Sequence, residues 1–248
     1  MSSACLRIFK SSNRQIVKLL NFPNALTCCN LICGCMATGA AFHARFEWAL
    51  LMIVAGAVFD FFDGMAARAL HISSPIGKEL DSLADVVTFG VAPSAMLFQL
   101  FGMVLYPAWL QPLSGYLPYT AFLLAAFSAL RLAKFNLDDR QLTSFIGLPT
   151  PANALFWASL IVAERSFLCS PRFNAVFLLL FMLAACFFLI AEVPLFALKF
   201  KNLSWRDNRV KYIFLIGCLC LSPLGLTAIP CIILWYITLS LISWQFSL

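Results

Sequence analysis

Long apolar runs, separated by short charged or Pro/Gly-rich breaks, fill this chain. They predict helices near 23–43, 47–70, 82–105, 118–136, 150–165, 172–198, 209–222 and 225–245. A helix needs about 20 apolar residues to cross a bilayer, and most of these runs approach that length. The seventh is short for a span. The pattern therefore predicts an all-α, polytopic membrane helix bundle of about eight transmembrane helices. Residues 1–20 read differently, with Arg7, Lys10, Arg14 and Lys18 scattered among apolar positions. They are expected to form a basic amphipathic segment at the membrane surface rather than a secretory signal.

Composition agrees with a membrane protein. Of 248 residues, 62% are hydrophobic and 11% charged, whereas soluble domains carry about 25% charged residues. One membrane domain uses most of the chain. The ten cysteines lie mostly inside apolar runs, where cysteine acts as a small hydrophobe; none is assigned a role, the Cys29/Cys33 pair included.

Charge sets an orientation. Eight spans put both termini on one side, and fourteen Lys and Arg residues then fall on that side against Arg45, Arg165 and Arg172 on the other. The positive-inside rule makes the richer side cytoplasmic. The net charge of +6 reflects this asymmetry and an attraction to anionic membrane lipids. No nucleic-acid partner is expected, because the basic residues form no compact domain.

Against this background one constellation stands apart: Asp60-x2-Asp63-Gly64-x2-Ala67-Arg68-x8-Gly77-x3-Asp81-x3-Asp85. A charged group at the centre of a membrane helix costs roughly 3 kcal/mol even on lenient scales. Spacings of three and four put each acid pair on one helix face. If the two helices pack together, four carboxylates converge, and two divalent cations balance their charge. Oxygen-only ligands suit magnesium, manganese or calcium rather than zinc. The small residues between the acids permit close approach of backbone or ligand, and Arg68 adds a fixed positive charge. The same residues could instead serve as ion-pair partners for Arg68 and Lys78, or as the permeation site of a divalent-cation transporter. A transporter would want acids on both sides of the midplane; here they cluster at one face.

At these positions the sequence resembles the CDP-alcohol phosphotransferase family, and Pro23-Asn24-x2-Thr27-x2-Asn30 is similar to that family's first helix. The resemblance implies a six-helix catalytic core with two additional helices. The expected organisation is an interfacial segment over 1–20, the membrane domain over 21–200 and C-terminal helices over 201–248. It implies that Asp60, Asp63, Asp81 and Asp85 bind two divalent cations, Mg2+ or Mn2+, with Asp85 as general base. It implies a nucleotide pocket at Asn24, Thr27, Gly64, Ala67, Arg68 and Gly77. It also implies a homodimer.

The flanks are similar to the family's bacterial serine-accepting branch, through Gly77–Pro93, Arg131–Asn136 and Phe145–Ala152. The substrates implied are CDP-diacylglycerol and L-serine, and the location is the bacterial inner membrane with the active site facing the cytoplasm. A site for serine needs a cation for its carboxylate and an acceptor besides; Arg131 and Lys134 are the candidates for the carboxylate, and Asn136 follows them as a further serine contact. The two cations could equally be snorkelling residues of the cytoplasmic face. Glycerol 3-phosphate, inositol phosphate and choline are the alternative acceptors. Gly147–Pro151 reads as a substrate loop or as a helix start, and Pro in a first turn favours the helix.

Overall fold

In a computed structural model of the chain, residues 21–71, 74–137, 145–196, 204 and 208–246 are described. The segment expected over 1–20 lies outside them, as do several basic residues used to orient the chain.

The described residues are almost wholly helical. Helix α1 runs Phe22–Phe42, α2 Phe46–Ala69 and α3 Pro75–Asp85. A π-helical stretch, Val86–Val91, carries α3 directly into α4, Ala92–Phe101, so Pro75–Phe101 is one rod. Helix α5 runs Leu123–Leu137, α6 Thr150–Ala163, the short α7 Arg165–Leu168, α8 Ala175–Ile190, α9 Arg209–Leu221 and α10 Ala228–Phe246. Among the described residues five stretches are long and apolar enough to cross a membrane, and α6 and α8 are shorter apolar helices. The fifth stretch, Arg209–Gln245, is broken at Gly225, whose φ of 62° is non-helical; α9 and α10 pack on each other across that break.

Local chemistry sets the boundaries that matter for the site. Asn21 caps α1, its Oδ1 accepting from the Asn24 amide at 2.9 Å. Ser74 caps α3, accepting from the Gly77 amide at 3.0 Å, and Pro75 follows where a missing N–H costs nothing. The rod thus begins seven residues before the expected 82, because capping by polar residues started the helix ahead of its apolar run. This places Gly77 and Asp81 inside the helix. Gly147–Pro151 is a helix start: α6 begins at Thr150. Gly147 adopts φ +77°, and a Cβ there would stand 2.9 Å from the Leu189 carbonyl oxygen, so both backbone angle and space demand glycine. Its neighbours form a two-residue strand, β1 (Phe145–Ile146), antiparallel to β2 (Pro194–Leu195). That pairing ties the start of α6 to the end of α8.

Helices α1 and α2 pack closely along the rod. Thr88, fully buried, sits between Gly34 of α1 and Gly56 of α2. Its hydroxyl donates to the Asn30 carbonyl oxygen at 3.0 Å. Gly90 admits α5, with Ser128 Cβ 3.2 Å from where its own Cβ would be. The apolar core occupies the other half of the bundle, around Phe46, Ile53, Phe89, Phe101 and Trp157.

Candidate metal and nucleotide site

The carboxylates of α2 and α3 meet where the two helices face α1. Asp60, Asp63 and Asp81 each offer an oxygen, and these oxygens lie within 4.8 Å of one another. Ionised carboxylates this close repel one another unless a proton or a cation lies between them. Asp81 also carries a buried Oδ1 with no hydrogen-bond partner among the described residues. Hard oxygen donors, mutual proximity and an unmet buried oxygen together fit a divalent cation of the magnesium or manganese type.

Asp85, one turn further along α3, is buried and within range of the charges of Asp60, Asp81 and Asp63. It stands outside the close group of three. Asn30 of α1 donates its Nδ2 to Asp85 Oδ1 at 3.1 Å, leaving the second carboxylate oxygen to other partners. Thr27, one turn earlier on α1, donates to Asp63 Oδ2 at 2.6 Å. Helix α1 therefore orients two of the four acids through hydroxyl and amide groups that carry no charge.

Beside the acids lies a cavity of about 250 Å³. Asn24, Thr27, Gly64, Ala67 and Gly77 line it together with Asp63, Asp81 and Lys78. A Cβ on Gly77 would stand 3.1 Å from Asn24 Oδ1, so the glycine keeps this wall open. Arg68 is not part of the lining; its guanidinium lies along Gly64, 3.5 Å from where a Cβ would be. Five of the six residues expected at a nucleotide thus surround one cavity, with the sixth at its edge.

The residues expected at serine separate into distinct environments. Arg131 is 8% exposed, lies over the Phe135 ring at 5.1 Å and interacts with the charge of Asp85. Lys134 instead pairs with Glu192 at 2.9 Å, and both side chains are substantially exposed. Asn136 braces two helices: its Nδ2 donates to Ser82 Oγ at 2.7 Å, and its carbonyl accepts from Lys78 Nζ at 3.0 Å. Asn30 was missing from the expected site residues. Its signal was the polar stripe Asn24, Thr27 and Asn30, every third residue along one face of an apolar helix.

The family described as CDP-alcohol phosphatidyltransferase matches residues 20–199. A Bacillus subtilis protein named CDP-diacylglycerol–serine O-phosphatidyltransferase is 39% identical over 154 residues, 62% of this chain and 80% of that protein. One of the same name from Mycobacterium leprae is 30% identical over 190 residues, covering 74% of this chain and 60% of the relative. Another, from Methanocaldococcus jannaschii, is 29% identical over 217 residues, 80% of this chain and 98% of the relative.

Proposed function

Because this chain belongs to the CDP-alcohol phosphatidyltransferase family, we propose that it transfers the phosphatidyl group of CDP-diacylglycerol to the hydroxyl of L-serine, releasing CMP. The observation that carries this reading is the cluster of Asp60, Asp63 and Asp81 oxygens opening on a cavity of about 250 Å³. The serine acceptor rests on the names of the relatives and on a single buried guanidinium near Asp85.

In this mechanism Asp60, Asp63 and Asp81, with Asp85 beside them, would hold two divalent cations. When bound, these would neutralise the pyrophosphate and polarise the phosphoryl group under attack. Thr27 and Asn30 fix the rotamers of Asp63 and Asp85 before substrate arrives. Gly64, Ala67 and Gly77 let the cytidine diphosphate approach the helix backbones, while Asn24 and Arg68 offer polar contacts at its edge. Asp85 takes the proton of the serine hydroxyl. The hydroxyl oxygen bonds to the phosphorus bearing diacylglycerol, and the bond to the CMP oxygen breaks. Arg131 receives the serine carboxylate in charge-assisted hydrogen bonds; Lys134, engaged with Glu192, does not. This is one displacement, with no covalent enzyme intermediate.

The same reading makes the chain an eight-span bundle, with α6 and α8 counted as spans and α9 and α10 as a hairpin. It comprises a surface segment over 1–20, a catalytic domain over 21–200 and added helices over 201–248. The protein resides in the bacterial inner membrane as a homodimer, acids toward the cytoplasm. The test is purified protein in vesicles with CDP-diacylglycerol and labelled serine, glycerol 3-phosphate, inositol phosphate and choline, with and without manganese. Manganese-dependent phosphatidylserine is the expected product. Transfer to another alcohol in preference would overturn the acceptor, and no transfer to any alcohol would overturn the chemistry.

A further inference from the structure

Away from the acids, one cavity combines apolar walls with an unmet polar group. It measures about 230 Å³ and lies between α6, α8 and α10, walled by Phe156, Phe181, Phe188, Ile233 and Leu241. Asn153 also lines it, and is 0% exposed. Neither Oδ1 nor Nδ2 of Asn153 has a hydrogen-bond partner among the described residues. An amide buried in apolar surroundings without partners is costly, so this position expects a ligand that supplies them.

The occupant can be narrowed. Packed interiors do not leave about 230 Å³ empty. Water is a poor filler, because each molecule needs two to four polar partners. Apart from Asn153 the walls offer Thr238, whose hydroxyl already donates to the Leu234 carbonyl at 2.8 Å. Phe181 and Leu234 line the cavity and are 36% and 45% exposed, which opens it toward the bilayer. The start of α6 is joined to the end of α8 by the Leu148 amide, donating to the Phe188 carbonyl at 3.0 Å. Along the α6 side the lining runs from Leu148 through Asn153 to Phe156, so Asn153 stands within the cavity with apolar walls on either side of it. Along α10 the lining runs from Leu241 to Ile233, about 12 Å at the helical rise, enough for the first part of a long acyl chain.

We propose that this cavity binds a fatty acid, its chain between the three helices and its carboxyl group, in neutral form, against Asn153. A primary amide presents an acceptor and a donor side by side. The acid O–H donates to Oδ1 while its carbonyl oxygen accepts from Nδ2, and both unmet atoms are satisfied at once. A phospholipid ester satisfies Nδ2 alone. The site is separate from the acidic cluster, and its α10 wall lies beyond residue 199, where the family match ends.

The test uses the full chain in phosphatidylcholine nanodiscs with a diazirine-bearing palmitic acid, photolysis and peptide mapping. Label is expected on α8 or α10 and should fall at least tenfold in Asn153→Leu. It should fall equally in Ala184→Phe, which fills the cavity from an exposed lining position. Unlabelled palmitic acid should compete at least tenfold better than its methyl ester, which lacks the donor. Equal competition by the ester, undiminished labelling in Ala184→Phe, or no label in the wild-type protein would overturn the proposal. The ester comparison needs no variant, so misfolding of one does not shield it.

Discussion

Substituting Gly34 by alanine tests whether the acidic site depends on how closely α1 approaches the rod. A Cβ at position 34 would stand 2.8 Å from both the Thr88 Cα and the Thr88 amide nitrogen, and closer still to Thr88 Oγ1. Ordinary contact begins near 3.4 Å, and two of these atoms are backbone, so no rotamer change relieves them. Helix α1 must therefore shift from the rod by somewhat over half an ångström. Asn30 lies one turn away and donates to Asp85 at 3.1 Å, so the same shift stretches that bond past useful length. Misplacement of about 1 Å in a positioned site costs on the order of 100-fold in rate, and overpacking costs about 1–3 kcal/mol of stability. The expected result is a 10- to 100-fold fall in kcat, about 1.4–2.7 kcal/mol in activation free energy. The assay is transfer of labelled serine at saturating CDP-diacylglycerol. Gly39→Ala, with nothing within 4 Å of its Cβ, is the control and should retain full activity. Wild-type turnover in Gly34→Ala would refute the idea that this packing holds Asp85.

Four further outcomes can be checked. Asp85→Asn should lower turnover by about 100-fold or more, the range of general-base catalysis, while CDP-diacylglycerol binding by isothermal titration persists. Asp60→Asn and Asp81→Asn should raise the manganese concentration for half-maximal activity; an unchanged metal titration in both would contradict the ligand assignment. Arg131→Gln should raise the serine KM roughly tenfold, the loss of a charge-assisted hydrogen bond, whereas Lys134→Gln, which breaks an exposed pair worth under about 1 kcal/mol, should leave it within about threefold. Gly147→Ala should lower the melting temperature by several degrees, since strain at a positive φ costs about 1–3 kcal/mol.

The helices and the acid cluster were legible in the sequence because both follow from local spacing. Apolar runs gave α1 and α2 to within a residue, and spacings of three and four put Asp60 with Asp63 and Asp81 with Asp85. What spacing left open was partnership across helices. Asn30 meets Asp85 across 55 residues, and no local pattern says which acid a polar group on α1 will reach. Arg131 and Lys134 looked equivalent three residues apart; their difference arises because one turns inward beside Asp85 and the other outward to Glu192. The early start of α3 was missed because its first turns are polar, held by a serine cap rather than by apolar burial. Thr88, Gly34 and Gly56 read as generic membrane residues until their mutual contact is seen.

The π-helical stretch Val86–Val91 directly follows Asp85. A wider turn takes up more residues than an α-turn over the same length, so it absorbs about one extra residue while the two ends of the rod keep their relative angular phase. Excising a single residue from this stretch would let ordinary helix re-form with little rotation, whereas excising one between Asp81 and Asp85, where the helix is ordinary α, would turn the two acids against each other by about 100°. Phe89 is anchored in the core, so that rotation would fall on the Asp81 end and swing it out of line with α2. Two deletions that each shorten the rod by one position, and look alike to a bilayer, would thereby differ: the first spares the alignment of the acids, and the second dismantles the chemistry without removing a single ligand.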